Sequence, residues 1–230
     1  YLDTGAERPS LANGKTAHFS GVDGSEIVLQ STINQGAGAL YFNNNMTVRA
    51  ENNNDTWTGA GIVVNGNKTV NWQVKNPQGD RLSKLGTGTL LINGKGKNLG
   101  DISVGDGTVI LDQKAENGQQ QAFNQVGITS GRGTVVLAND KQVNPNNIYF
   151  GFRGGRLDLN GNALSFNYIQ NADDGAKIVN HNRNQTASIT IGKDLTENEL
   201  EWVNWGKKPE TALGVYEYVD RKSTRLNSSH

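Results

Sequence analysis

The segment GDGTVIL, residues 105–111, is one of several copies of a short pattern in this chain of 230 residues. Each copy reads Gly-x-Gly-Thr followed by three apolar residues, and two further copies are GTGTLLI (86–92) and GRGTVVL (131–137). A looser copy, RGGRLDL, covers residues 153–159. The second glycines of the four copies, at positions 88, 107, 133 and 155, are therefore 19, 26 and 22 residues apart. This spacing matches one coil of a solenoid, so the pattern predicts stacked coils that each contribute an equivalent strand.

Alternate residues within each copy are expected to point inward, as in β-strands that bury one face. The residues predicted to point inward form one aliphatic column: Leu90 and Ile92, Val109 and Leu111, Val135 and Leu137, and Leu157 and Leu159. The same alternation in residues 69–75 and 163–169 predicts the inward residues Val70, Trp72, Val74, Leu164, Phe166 and Tyr168. Only residues 116–127 suggest a short turn of helix. The sequence therefore predicts an all-β protein.

Glycine and asparagine mark the turns between these strands. Each Gly-x-Gly is predicted to form the corner that enters a strand, where a Cβ would crowd the adjacent coil. Asn-Gly pairs mark further turns at Asn13-Gly14, Asn65-Gly66, Asn93-Gly94, Asn117-Gly118 and Asn160-Gly161. An antiparallel β-sandwich would also use Asn-Gly hairpins and is the alternative fold. It does not explain a pattern repeated at coil spacing, so we predict a single-chain β-solenoid with coils of about 19–26 residues.

Composition argues against several classes of function. The chain has 22 basic and 22 acidic residues, so no net charge favours nucleic acid. It contains no cysteine, which excludes disulfides and thiolate metal sites. No apolar run approaches the roughly 18 residues that a membrane-spanning helix needs. We predict no cofactor and no nucleic-acid partner.

Few residues could support serine catalysis. The possible general bases outside the C-terminal tail are His18 and His181, and neither lies near a Gly-x-Ser-x-Gly nucleophile motif. Both are interpreted as surface or edge histidines. We predict that the chain contains no catalytic triad and is inactive by itself.

Ligand-binding motifs are equally weak. The glycines of GKGKNLG (94–100) miss the dinucleotide-binding spacing by one residue and are interpreted as coil corners. Asp101 and Asp106, and the pair Asp173 and Asp174, could supply oxygen to calcium but lack the number of ligands that calcium prefers. We predict solvated carboxylates at these positions and no metal site.

Two other groups of side chains leave alternatives open. Arg153, Arg156 and Asp158 could belong to a glycan-cleaving β-helix enzyme, although a salt-bridged surface ladder is the ordinary explanation. The aromatic residues near the C-terminus form either a binding patch or a loop that packs on the solenoid: Trp202, Trp205, Tyr216 and Tyr218.

Long segments of the chain resemble a known family. Residues 31–48, 81–113, 121–137 and 148–182 resemble the passenger stalk of the immunoglobulin A protease family of autotransporters. That family includes the Hap-type adhesins and the serine protease autotransporters of Enterobacteriaceae. The resemblance runs from about residue 10 to residue 192, and it implies a right-handed parallel β-helix.

The resemblance also implies how the segment functions. It predicts a stalk that presents an upstream chymotrypsin-like protease domain, precedes an outer-membrane β-barrel and supports export to the surface of a Gram-negative bacterium. The family's nucleophile motif Gly-Asp-Ser-Gly-Ser is absent from this sequence. A stalk that itself adheres to host surface or matrix proteins, or to another stalk, is the alternative function, and a glycan-active enzyme is a third.

The domain organisation expected on this basis has four parts. Residues 1–20 are assigned to a linker from the protease domain and residues 21–192 to the β-helical stalk. Residues 193–220 are assigned to a less regular continuation or loop. Residues 221–230, RKSTRLNSSH, lose the alternation and the turns and are assigned to a non-native tail.

Overall fold

A computed structural model of the chain describes residues 14–59, 61–172 and 174–192. Its 20 strands are β1 (Ala17–Phe19), β2 (Ser25–Leu29), β3 (Ile33–Asn34), β4 (Ala39–Phe42), β5 (Met46–Ala50), β6 (Trp57–Thr58), β7 (Gly61–Val64), β8 (Thr69–Trp72), β9 (Arg81–Leu85), β10 (Thr89–Ile92), β11 (Asp101–Val104), β12 (Gly107–Leu111), β13 (Gln125–Ile128), β14 (Gly133–Leu137), β15 (Ile148–Phe150), β16 (Gly155–Asp158), β17 (Ala163–Phe166), β18 (Gln170–Asn171), β19 (Ala176–Val179) and β20 (Ser188–Ile191). A short 3-10 helix, Pro145–Asn147, precedes β15. The described residues contain no α-helix.

The strands form two parallel sheets of eight strands each. The first sheet has the order β1-β4-β7-β9-β11-β13-β15-β18, and the second has the order β2-β5-β8-β10-β12-β14-β16-β19. Two short parallel pairs, β3 with β6 and β17 with β20, lie outside these sheets. Each circuit of the chain adds one strand to each large sheet, which is the topology of a parallel β-solenoid. The antiparallel sandwich is wrong, because every pairing between these strands is parallel.

The strand register confirms the repeat seen in the sequence. Val109 lies opposite Leu90 on one side and opposite Val135 on the other, at separations of 19 and 26 residues. Val135 in turn lies opposite Leu157, 22 residues further on. All four side chains are fully buried. The three intervals read from the glycine pattern are therefore the intervals by which successive coils stack.

Most of the predicted core is confirmed, with one exception. Val70, Trp72 and Val74 are buried, as are Leu164 and Phe166. Tyr168 is only half-buried, and its neighbour Ile169 occupies the core instead. The alternation was extended too far, because β17 ends at Phe166 and the chain turns there before β18.

Close packing at the corners explains the conserved form of the repeat within this chain. Gly107 has a φ of 68°, and a Cβ there would lie 2.5 Å from the carbonyl oxygen of Gly88 in the preceding coil. A Cβ on Gly88 would lie 2.6 Å from Val64 Cγ1. Both distances are shorter than carbon atoms tolerate, so these corners require glycine. The prediction that a Cβ would crowd the adjacent coil is confirmed.

Two local expectations need correction. Residues 17–19 lie inside the segment 1–20 that was assigned to a linker, yet they pair with β4 and bury Ala17 and Phe19. Residues 116–127 form no helix, because Glu116 and Gln119 close a tight turn and Phe123 enters the core. Residues 1–13 and 193–230, which include most of the linker, the aromatic group and the tail, lie outside the described residues.

Candidate functional site

A lysine occupies the core of the first sheet. Lys84 belongs to β9, whose alternation points Leu82 and Lys84 inward together, and its side chain is fully buried. It stands opposite Ile62 in the preceding coil and Val104 in the following coil. Lys84 therefore places an amino group in a column that is otherwise aliphatic at these positions.

Backbone carbonyls at the coil corner bind this amino group. Lys84 Nζ donates to the carbonyl oxygens of Leu85 at 2.9 Å, Gly86 at 2.8 Å and Asp106 at 2.9 Å. Burial lowers the pKa of Lys84 from 10.5 to about 8, and the nearby Asp106 carboxylate opposes the shift. The three hydrogen bonds match the three N–H bonds of an ammonium group, so the site is built for a cation.

Gly107 borders this site, and its lack of a side chain leaves room for the Lys84 amino group. A Cβ on Gly107 would lie 2.7 Å from Lys84 Nζ, and the Gly107 N–H donates to Asp106 Oδ1 at 2.8 Å. A phosphate-binding loop directs backbone N–H groups toward an anion. This loop directs the carbonyl oxygen of Asp106 toward a lysine of the same chain, so its chemistry is the reverse of that of a phosphate site.

Sequence reasoning missed Lys84, although a signal was present. RLSKL (81–85) alternates, and an apolar residue at 82 on the buried face implies that 84 shares that face. A lysine is ordinarily placed outside regardless of register, because a buried charge is costly. The inward position is tolerable because carbonyl oxygens of its own coil and of the next coil accept hydrogen bonds from the amino group.

The two histidines that were candidate bases lie far apart in the fold. His18 is on β1, where its ring stacks on Tyr41 of the next coil at 4.5 Å between centroids. The His181 ring is 63% exposed, and its Nδ1 lies 3.6 Å from Asp158 Oδ2. Each histidine thus contacts a residue of an adjacent coil, and the two contacts are at different places in the solenoid.

Asp158 is more buried than the expected surface ladder implies. Its side chain is 9% exposed, and its carboxylate accepts hydrogen bonds from the backbone N–H groups of Asn160 at 2.9 Å and His181 at 3.1 Å. In the described part of the chain, the basic side chain within 4 Å of its carboxylate is that of His181 and not that of Arg156. The expected Arg156–Asp158 surface ladder is therefore replaced by a carboxylate that holds the next coil in place.

Of the remaining candidate ligands, Asp101 and Asp106 have structural contacts, and Asp174 is exposed. Asp101 Oδ2 lies 3.8 Å from the Arg81 guanidinium, and Asp106 Oδ1 accepts a hydrogen bond from the Gly107 N–H. In the ranges that the structure describes, no three His, Asp or Glu side chains converge on a possible metal position. Asp173 lies outside those ranges. Residues 95 and 97 form bridges with the following coil, so 94–100 is part of the stack.

An exposed network links four consecutive coils of the first sheet. Arg81 donates to Ser103 Oγ at 3.1 Å, to Gln125 Oε1 at 2.8 Å and to the Tyr149 hydroxyl. The Tyr149 ring covers Gly127, where a Cβ would collide with it. These contacts join side chains up to 68 residues apart and fasten the coils along the outer face.

The chain is similar to secreted bacterial proteins. It is 57% identical to the adhesion and penetration protein autotransporter of Haemophilus influenzae, over 80% of this chain and 13% of that protein. It is also 57% identical to the IgA-specific serine endopeptidase autotransporter of Neisseria gonorrhoeae, over 81% of this chain and 12% of that protein. The chain therefore spans about an eighth of the length of these relatives.

A solved structure shares the fold. The crystal structure of the Haemophilus influenzae Hap adhesin matches with a TM-score of 0.77 and 51% identity, over 84% of this chain and 22% of that one. No protein-family model matches the chain. Within the described residues, no helix has the length and apolar character needed to cross a membrane.

Proposed function

This chain belongs to the passenger region of the immunoglobulin A protease family of autotransporters, and on that premise we propose that it is a stalk segment that carries a protease domain. The segment is secreted or displayed at the surface of a Gram-negative bacterium. In the intact protein, the stalk holds an upstream serine protease domain away from the membrane and connects it to a C-terminal β-barrel. Its partners are these two parts of the same polypeptide.

The uninterrupted stacking of coils supports this function most directly. Eight strands per sheet, about 4.8 Å apart, give a rod that rises roughly 34 Å. Backbone hydrogen bonds and the buried column both run along the rod axis, so bending the rod requires breaking them. A stalk needs this resistance to bending, and it needs no reactive side chains.

The same stacking favours a role in export. Each coil buries its apolar face only against the coil before or after it, so folding propagates from coil to coil. We propose that coils folding outside the cell help to prevent the passenger from sliding back through the barrel. Absence of cysteine is compatible with passage of an extended chain.

Adjacent residues of one strand provide the test. In the intact protein, Val109→Asp places a charge in the buried column, whereas Ile110→Asp places the same charge on the half-buried outer face. We expect Val109→Asp to reduce surface display of the passenger strongly, measured by antibody labelling of whole cells. Ile110→Asp is the control and is expected to be displayed normally.

The protease domain supplies the second measurement. Activity per displayed molecule is expected to be the same in both variants, because neither changes the catalytic domain. Normal display of Val109→Asp would contradict the role in export. A full loss of activity per displayed molecule in Ile110→Asp would show that this face serves the protease directly and would contradict a passive stalk.

A further inference from the structure

The Asn-Gly pairs of the chain differ sharply in their surroundings. An Asn-Gly pair can react with itself, because the glycine nitrogen attacks the asparagine Cγ, expels ammonia and closes a succinimide ring. Water then opens the ring to aspartate or to isoaspartate, in which the backbone continues through the side-chain carbon. The reaction consumes only water, and glycine favours it because no Cβ hinders the attacking nitrogen.

Asn117 and Gly118 are both exposed and occupy the centre of a tight turn. Their φ angles are 52° and 74°, and Glu116 and Gln119 close the turn with two backbone hydrogen bonds of 2.9 Å. Nothing lies within 4 Å of the position that a Gly118 Cβ would take. Among the described residues, neither the Asn117 side chain nor the Gly118 N–H has a hydrogen-bond partner. Opening this turn therefore costs two exposed hydrogen bonds and no packing.

Asn160 is held much more firmly. Its side-chain amide donates to the carbonyl of Leu137 at 3.0 Å, and the Gly161 N–H donates to Asn180 Oδ1 at 3.0 Å. The attacking nitrogen and the attacked amide are thus both engaged with neighbouring coils. The reaction at Asn160 requires separating those coils.

The other two described pairs are also restrained. Asn65 donates its side-chain amide to Asn43, and Gly66 lies under Thr87. Asn93 has a buried side-chain oxygen, and a Cβ on Gly94 would lie 2.8 Å from the carbonyl oxygen of Gln73. Neither pair can rotate freely while its coil remains stacked.

We propose that Asn117 is a site of spontaneous deamidation in the folded stalk, and that the other described Asn-Gly pairs are protected by coil stacking. Deamidation at Asn117 is expected to disturb contacts that its neighbour Glu116 makes with earlier coils. Glu116 contacts Lys75 at 3.8 Å and the Asn53 amide at 3.1 Å, which lie in earlier coils. An additional carboxylate at position 117 repels Glu116, and the longer isoaspartate backbone no longer fits the turn. This inference does not depend on the proposed stalk function.

The test compares the folded and the denatured chain. Both samples are incubated in mildly alkaline buffer, digested and analysed by mass spectrometry, with isoaspartate identified by an isoaspartate methyltransferase. In the denatured chain, the pairs should react at similar rates. In the folded chain, we expect Asn117 to be slowed only a few-fold, by the cost of opening its turn, and the other three pairs to be slowed by at least about tenfold more than Asn117.

Two variants sharpen the comparison. Asn117→Gln should abolish most of the modification found at the four described Asn-Gly pairs of the folded chain, whereas Asn65→Gln should leave it largely unchanged. If Asn117 is slowed as much as Asn93 and Asn160, or if one of those reacts first, the proposal is wrong. Loss of protection at all sites together would show global opening of the chain and would equally contradict it.

Discussion

Replacement of Lys84 by methionine tests whether its burial costs stability. Methionine has a similar length and no charge, so Lys84→Met keeps the packing with Ile62 and Val104 while removing the titration. In the folded chain, the pKa of Lys84 is lowered from 10.5 to about 8. The unfolded chain therefore binds more protons than the folded chain between pH 8 and pH 10.5, and stability must rise with pH across that interval.

The magnitude follows from the size of the shift. A difference of 2.5 pH units, from 10.5 to 8, corresponds to about 3 kcal/mol at 1.36 kcal/mol per unit. Below pH 8, the cost of burying the ammonium is fully present, and above 10.5 it is relieved. We expect the free energy of unfolding of the natural chain, relative to Lys84→Met, to increase by up to about 3 kcal/mol over this range.

Equilibrium urea unfolding at several pH values measures the effect. Other lysines and tyrosines also titrate, but they are common to both proteins and cancel in the difference. Ser83→Met, on the exposed position beside Lys84, controls for the added methionine. The reasoning is refuted if the difference in free energy of unfolding between the natural chain and Lys84→Met stays constant or falls as the pH rises. A constant difference would mean that folding does not shift the pKa of Lys84, and a falling one that the carbonyls stabilise the cation more than burial penalises it.

Three further outcomes are expected. In the isolated chain, Val109→Asp should lose several kcal/mol of stability in thermal unfolding, whereas Ile110→Asp on the half-buried outer face should lose only about 1 kcal/mol. Equal effects would mean that the inward register is wrong. Gly107→Ala should lower the melting temperature more than Gly118→Ala, since both have positive φ but only Gly107 is crowded. Trp57→Phe removes the indole N–H that donates to the fully buried side-chain oxygen of Gln35 at 3.1 Å, so urea unfolding should show a loss of about 1–3 kcal/mol in stability. No loss would indicate that the Gln35 amide finds another donor.

The sequence by itself determined the stack of coils. Strand alternation and the Gly-x-Gly-Thr pattern are local signals, and their intervals of 19, 26 and 22 residues equal the offsets between paired strands. A solenoid repeats one local environment, so a residue such as Val109 has the same surroundings as its counterparts in the other copies. This is why thirteen of the fourteen residues predicted to point inward are buried, although the core column of the first sheet, such as Leu40, Ile62 and Ile102, was not predicted.

Only the tertiary structure decided where the repeat is broken. Lys84 is buried because carbonyls of its own coil and of the next coil surround its amino group, and Asp158 is buried because residue 181 lies over it. Ile169 replaces Tyr168 in the core because a strand ends earlier than its alternation suggests. The burial of Lys84 and of Asp158 depends on groups about 20 residues away that meet across coils, and no local pattern encodes those contacts. The sequence therefore located the glycine corner at 105–107. Only the fold shows that the carbonyl oxygen of Asp106 in this corner binds Lys84.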